Sequence, residues 1–174
     1  MGLAASGIDL EAGGVRLRGA RETDLDPLTE MFATPEVARW WPDQTRGAIR
    51  TAISHDPGII PLVIEADGVV AGFLQIWEET DPEYRHAGID IALHPRFQGR
   101  GLGPAAIRLA CDWLFANGHH RITIDPVADN TRARRAYEKV GFRRVGRLRQ
   151  YQWEPSAQSW VDGVLYDLLA EDLR

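Results

Sequence analysis

"HPRFQGRGLG", residues 94–103, lies between an apolar run, "GIDIAL" (88–93), and a stretch with apolar residues at helical spacing, "GPAAIRLACDWLFANG" (103–118). A strand, a glycine-rich turn and a helix in that order form a frame for phosphate. A peptide N–H approaches a phosphate oxygen closely only where no side chain blocks it, and Gly99, Gly101 and Gly103 remove side chains at alternate positions. The helix adds unpaired N–H groups and the positive end of its dipole. Arg96 and Arg100 add charge. A pyrophosphate suits this turn, and so does a glycine-rich surface turn with no ligand, since glycine motifs alone do not discriminate. Other phosphate loops are disfavoured: no Gly-Lys-Ser/Thr is present, and no complete GxGxxG pairs with an acidic residue at dinucleotide spacing.

Outward from the turn, Leu102, Ala106, Leu109, Ala110 and Trp113 line one side of a helix that starts near Leu102 and closes at Asn117-Gly118. Upstream, "IIPLVIEADGVVAGFLQIW" (59–77) reads as a hairpin turning at Asp67-Gly68. "VRLRGA" (15–20) reads as a first strand. Thr23 is placed as the cap of a helix ending near Ala33, with Asp26 completing a capping box. Pro35 suits the first turn of a short second helix, and "DQTRGAIRTAISH" (43–55) a third helical piece. Downstream, "RITIDP" (121–126) is a strand, and a helix has Asn130 at its start and Gly141 just past its end. Two more strands finish the chain. The sum is a mixed sheet with helices on its faces, an α/β or α+β domain over 15–174, after a Gly/Ala-rich flexible start at 1–14.

The 174 residues suit one domain with a real core. No apolar stretch approaches the roughly 20 residues that span a bilayer. The first residues lack a basic segment followed by an apolar one, so no signal peptide is expected, and the "MGLAAS" match to a myristoylation pattern is discounted. Cys111 is the single cysteine, which excludes an intrachain disulfide and points to the cytoplasm. A net charge of −5 argues against nucleic acid as the main partner and suits a cationic ligand. Neither a membrane nor a metal is expected, and the chain is read as a monomer or homodimer.

Gln98-Gly99-Arg100-Gly101-Leu102-Gly103 matches the Q/R-x-x-G-x-G/A signature of the GCN5-related N-acetyltransferases (GNAT). The segment from Asn130 through Ala133 and Tyr137 to Gly141-Phe142 resembles that family's N-x-x-A-x-x-x-Y-x-x-x-G-F pattern, in the right order. The resemblance implies a mixed, mostly antiparallel sheet, splayed where acetyl-coenzyme A lies. It places the pyrophosphate on Gln98–Gly103 and pantetheine on the backbone of Ile91, Ala92 and Leu93, with Asn130 bonding the pantetheine arm. Tyr137 would protonate the departing thiolate. Read alone, Asn130 is a helix cap and Tyr137 a half-buried packing residue. Ala133 belongs to the same motif.

The reaction is attack of a neutral amine on a thioester, so a proton must leave. Asp90 is the candidate base. It lies mid-strand, where aspartate is disfavoured, on the face opposite Ile89 and Ile91, and a cationic substrate would compensate its charge. A salt bridge is the plain alternative. "EETDPEYRHAGID" (78–90), "ARWWP" (38–42) and "TIDPVADN" (123–130) resemble aminoglycoside 6′-N-acetyltransferases. That resemblance implies an acceptor pocket of Glu78, Glu79, Asp81, Asp90 and Asp125, with Trp40, Trp41 and Trp77 against sugar rings or cations. Taken singly, an acidic loop is a solvated loop and a Trp-Trp pair is core. The tail "GRLRQYQWEPSAQSWVDGVLYDLL" (146–169) looks more like acetyltransferases of ribosomal-protein N-termini. Three functions stand side by side: acylation of an aminoglycoside 6′-amine, acylation of a protein N-terminus or other small amine, and acyl-CoA binding without turnover.

Overall fold

Asp67 and Gly68 both take left-handed backbone, φ +53° and +76°, which matches the twist of the strands they join. Those strands are β3 (Ile59–Ala66) and β4 (Val69–Glu79). β5 (His86–Leu93) returns antiparallel, with Gln75 opposite Asp90. On the other flank β1 (Asp9–Ala12) and β2 (Val15–Gly19) extend the sheet from β3. The structure, a computed structural model, describes residues 7–54 and 58–174. The expectations for residues 1–6 and His55 fall outside these.

The remaining strands are β6 (Ile122–Ile124), β7 (Arg143–Glu154) and β8 (Ser159–Leu168), and the sheet order is β1-β2-β3-β4-β5-β6-β8-β7. Every pairing is antiparallel except β5 with β6. The helices are α1 (Leu25–Phe32), α2 (Pro35–Ala38), α3 (Arg46–Ser54), α4 (Leu102–Ala116) and α5 (Thr131–Val140). Side chains alternate across the central strands. Leu62, Ile64, Leu74, Ile76 and Ile89 pack toward α4 and α5. Val63, Phe73 and Ala92 pack toward α1–α3. Both faces are covered, which is why β3 reads as an apolar run from Ile59 to Ile64, broken only at Glu65.

β5 and β6 pair at only two positions, Ala87 with Ile122 and Gly88 with Thr123. The Ala87 N–H faces β6 and donates to the Arg121 carbonyl at 3.2 Å. Backbone groups alternate along a strand, so Ile89, Ile91 and Leu93 turn the same way. β6 has diverged by then, and the sheet opens into a V immediately before the glycine turn.

Two local expectations change. Thr23 lies in a 3-10 turn (Glu22–Asp24), and α1 begins at Leu25. Asp24, not Thr23, organises this start: its carboxylate accepts the Arg21 N–H at 2.8 Å and both Arg18 terminal nitrogens at 2.7 and 2.8 Å. The described part of the Gly/Ala-rich start, from residue 7, is partly ordered in the sheet. Asp9–Ala12 pairs with β2, and Ile8 is buried against the core. Among the described residues no helix is long and apolar enough to cross a membrane.

Candidate active site

The open V supplies the floor of the site. Ile91 and Leu93 turn their backbone groups into it. The Leu93 carbonyl accepts the Gln98 side-chain amide at 2.8 Å, and Arg132 of α5 donates to the same amide's oxygen, so helix, strand and turn are tied at one point. Ala92 lines the same cavity, while alternation turns its backbone groups to β4 and its side chain to the α1–α3 core.

Gly99 and Gly101 sit at φ +79° and +81°, a region that side-chain-bearing residues rarely occupy. A Cβ built on either would meet nothing within 4 Å, so the space above the turn is open. α4 starts here. Among the described residues, the N–H groups of Gly101, Leu102 and Gly103 find no acceptor within the chain. Bare donors at a helix start suit a diphosphate. The Arg100 side chain turns elsewhere, pairing with Asp67 at 2.8 Å and lying over the Phe97 ring, so this residue brings its backbone rather than its charge.

Charge comes instead from α5. Arg132, Arg135 and Lys139, spaced i, i+3, i+7, line a cavity of about 980 Å³ that also touches Gly99, Gly101 and Gly103. The helical spacing of these three cations was the signal available in the sequence. Asn130 caps α5, its side-chain oxygen accepting the Ala133 N–H at 3.1 Å. Its NH₂ group makes no hydrogen bond within the described residues.

Away from the turn, Asp90, Asp125, Tyr137 and Tyr151 line the cavity and lie close enough to feel one another's charge; Trp40 and Trp41 line it too, with Arg39 over the Trp40 ring at 4.6 Å. Gln75 donates to Asp90 at 3.0 Å. Burial pushes the Asp90 carboxyl above the usual range; the Gln75 hydrogen bond opposes this and the Asp125 charge adds to it. Tyr137 is 6% exposed, and its hydroxyl bonds to no described residue. Burial, then the charges of Asp90 and Asp125, push its phenol up. A phenol so held stays protonated at neutral pH and is a donor rather than a base. Trp41 packs against Phe32 and Phe73, with centroids at 5.4 and 6.1 Å, so core and wall roles coincide in it. Tyr151 donates to Asp125 and was not expected from sequence.

The other acidic candidates are not brought here. Glu78 lies on the opposite face of β4 from Gln75 and bonds His119 Nε2 at 2.9 Å. Glu79 and Asp81 sit at the exposed end of the β4–β5 hairpin, where the Glu79 carboxylate accepts the Asp81 N–H at 2.9 Å. Trp77 shares a face with Asp90, but its indole lies across Gly88 and meets His86 edge-on at 5.3 Å. Among the described residues no cluster suits a metal ion.

A cleft that pairs bare amides with carboxylates and a protonated phenol has the groups an acyl transfer needs. The acetyltransferase (GNAT) family matches residues 21–142 of this chain, which belongs to it. The aminoglycoside N(6′)-acetyltransferase type 1 of Klebsiella pneumoniae is 31% identical over 153 residues, covering 76% of this chain and 75% of that one. The spermidine N(1)-acetyltransferase of Escherichia coli K12 is 28% identical over 144 residues, covering 79% and 77%. The crystal structure of aminoglycoside acetyltransferase AAC(6′)-Ib with coenzyme A and kanamycin superposes with a TM-score of 0.74 at 26% identity, covering 91% of this chain and 96% of that one. The mixed, largely antiparallel sheet with helices on both faces is the fold expected for the family.

Proposed function

We propose that the protein transfers acetyl from acetyl-CoA to an aminoglycoside amine, the 6′-amine first, by direct attack within a ternary complex. The observation that carries this reading is the meeting of Asp90 and Asp125 at one end of a cleft whose other end holds open glycines and three cations. One end suits a polycationic acceptor and the other a polyanionic coenzyme.

Gly101–Gly103 N–H groups receive the diphosphate, and Arg132, Arg135 and Lys139 add charge beside it. Ile91, Leu93 and Asn130 offer hydrogen bonds to the pantetheine arm. Asp125 holds an acceptor ammonium, and Asp90 takes the proton that the attacking amine releases. The new N–C bond forms as the C–S bond breaks, and Tyr137 gives its proton to the leaving sulfur. The phenol is protonated at neutral pH, so the proton is in place when negative charge develops on the sulfur. Cys111 is a buried free thiol, which suits a reducing cytoplasm.

A linear polyamine is the second reading. It presents the same ammonium groups to Asp90 and Asp125, and the spermidine acetyltransferase is about as similar as the aminoglycoside enzyme. A panel of kanamycin, tobramycin, spermidine and a ribosomal-protein N-terminal peptide, each with acetyl-CoA, separates these readings by thiol release. Mass spectrometry and NMR then locate the acetyl group. Release with the peptide alone would overturn the aminoglycoside assignment, and release with spermidine alone would replace it with the second reading.

A further inference from the structure

β7 and β8 pair regularly at Gln152 with Val161 and again at Leu148 with Gly163. Between these pairs Arg149, Gln150 and Tyr151 stand opposite Asp162 alone. A bulge of this size bends the strand and re-aims its side chains. Gln150 takes φ +49°, and its N–H donates to Asp162 Oδ1 at 2.7 Å. Asp162 Oδ2 accepts from the Arg147 guanidinium. The bulge swings Tyr151 across β8, so that its ring lies on Gly163. A Cβ built there would come within 2.7 Å of Tyr151 Cδ1. The Tyr151 hydroxyl then reaches Asp125 Oδ2.

The same residues also hold the loop that carries Asp125. The Asp162 carbonyl accepts the Ala128 N–H at 2.7 Å, and the Val164 N–H donates to the Pro126 carbonyl at 2.9 Å. Asp162 thus binds the bulge through its side chain and the Asp125 loop through its backbone, although it does not line the cavity itself.

We infer that Asp162 and Gly163 are positioning residues for the acceptor: they seat Tyr151 on Asp125, occupy one carboxylate oxygen and leave Oδ1 to receive a single ammonium. The effect on acceptor binding rests on the function proposed above. The seating rests on geometry alone, so the two are tested apart.

Asp162→Ala removes both side-chain bonds, Gly163→Ala pushes the Tyr151 ring off its seat, and Asp162→Asn keeps an acceptor for the Gln150 N–H. The readout independent of turnover is the ultraviolet titration of Tyr151, isolated by difference against Tyr151→Phe. Burial, then the Asp125 hydrogen bond and charge, hold this phenol above its ordinary range. Asp162→Ala and Gly163→Ala are expected to shift its titration down toward that range, with Asp162→Asn between them and wild type. An unmoved titration in both alanine variants overturns the inference.

With an amine that the wild type acetylates, acceptor KM is expected to rise about tenfold in either alanine variant, the worth of one charge-assisted hydrogen bond. Acetyl-CoA KM should change less than about twofold. Adding Tyr151→Phe to Asp162→Ala should raise acceptor KM no further, because both act through one contact. Additive effects, or equal changes in the two KM values, also overturn it. If the wild type acetylates no amine on the panel, the proposed function falls, and the titration still decides the seating.

Discussion

Asp90→Asn removes a charge and a proton acceptor while keeping the shape of the side chain. The contact from Gln75 at 3.0 Å survives as an amide–amide hydrogen bond, so the β4–β5 register has no reason to change. General-base catalysis by a placed carboxylate is worth about 10²–10⁴-fold, or roughly 3–5 kcal/mol of barrier. We expect kcat to fall by that factor. Acceptor KM should rise less, because Asp125 keeps negative charge at the same end of the cavity. Burial, opposed by Gln75 and reinforced by Asp125, raises the Asp90 pKa, so the acidic limb of kcat/KM should lie above the ordinary carboxylate range and vanish in the variant. Stability moves the other way. Folded Asp90 holds its proton more tightly than the unfolded chain does, so wild-type stability falls as pH rises from the ordinary carboxylate value through the raised one. Asparagine avoids that loss. The variant should melt higher than wild type at neutral pH, with no gain below about pH 3.9. Thiol release measured across pH and parallel thermal melts test both halves. An unchanged pH–rate profile, or a lower melting temperature at neutral pH, would refute the reasoning.

Tyr137→Phe should lower kcat by about 10²-fold or more with little change in acceptor KM. Its phenol is held protonated by burial and by Asp90 and Asp125, so the loss measured by thiol release should not vary across neutral pH. Gly101→Val puts a branched side chain at φ +81°, costing about 1–2 kcal/mol of backbone strain, and also fills the space above the turn. Calorimetry should show acetyl-CoA bound at least about tenfold more weakly; equal affinity would remove the phosphate seat. Glu78→Ala strips the partner from His119, whose side chain is 0% exposed, and should destabilise by roughly 1–3 kcal/mol in chemical denaturation. Acceptor KM should be unchanged, and a raised KM with intact stability would return Glu78 to the site.

The glycine turn and the capped helix after it were legible because their geometry is local. Glycine at left-handed positions, asparagine at a helix start and glycine at a helix end each leave their mark within a few residues. The acidic part of the cleft depends on which face a side chain takes and on pairings between distant strands. Glu78 and Glu79 are neighbours in β4 and cannot face one pocket together, a fact the strand's period of two already contained. Tyr151 was out of reach, because its aim depends on a bulge set by Asp162 on another strand. Thr23 lost the capping role because Asp24 is claimed by Arg18 from β2, again a long-range partner.

Only two residue pairs stitch β5 to β6, so the two slabs of the sheet meet along a short seam and are otherwise joined by the core they share beneath α4 and α5. A coenzyme lodged in the gap would touch both slabs and act as mortar between them. Resistance to heat and proteases would then track metabolic state: a free coenzyme concentration of a hundred times Kd adds about 2.7 kcal/mol.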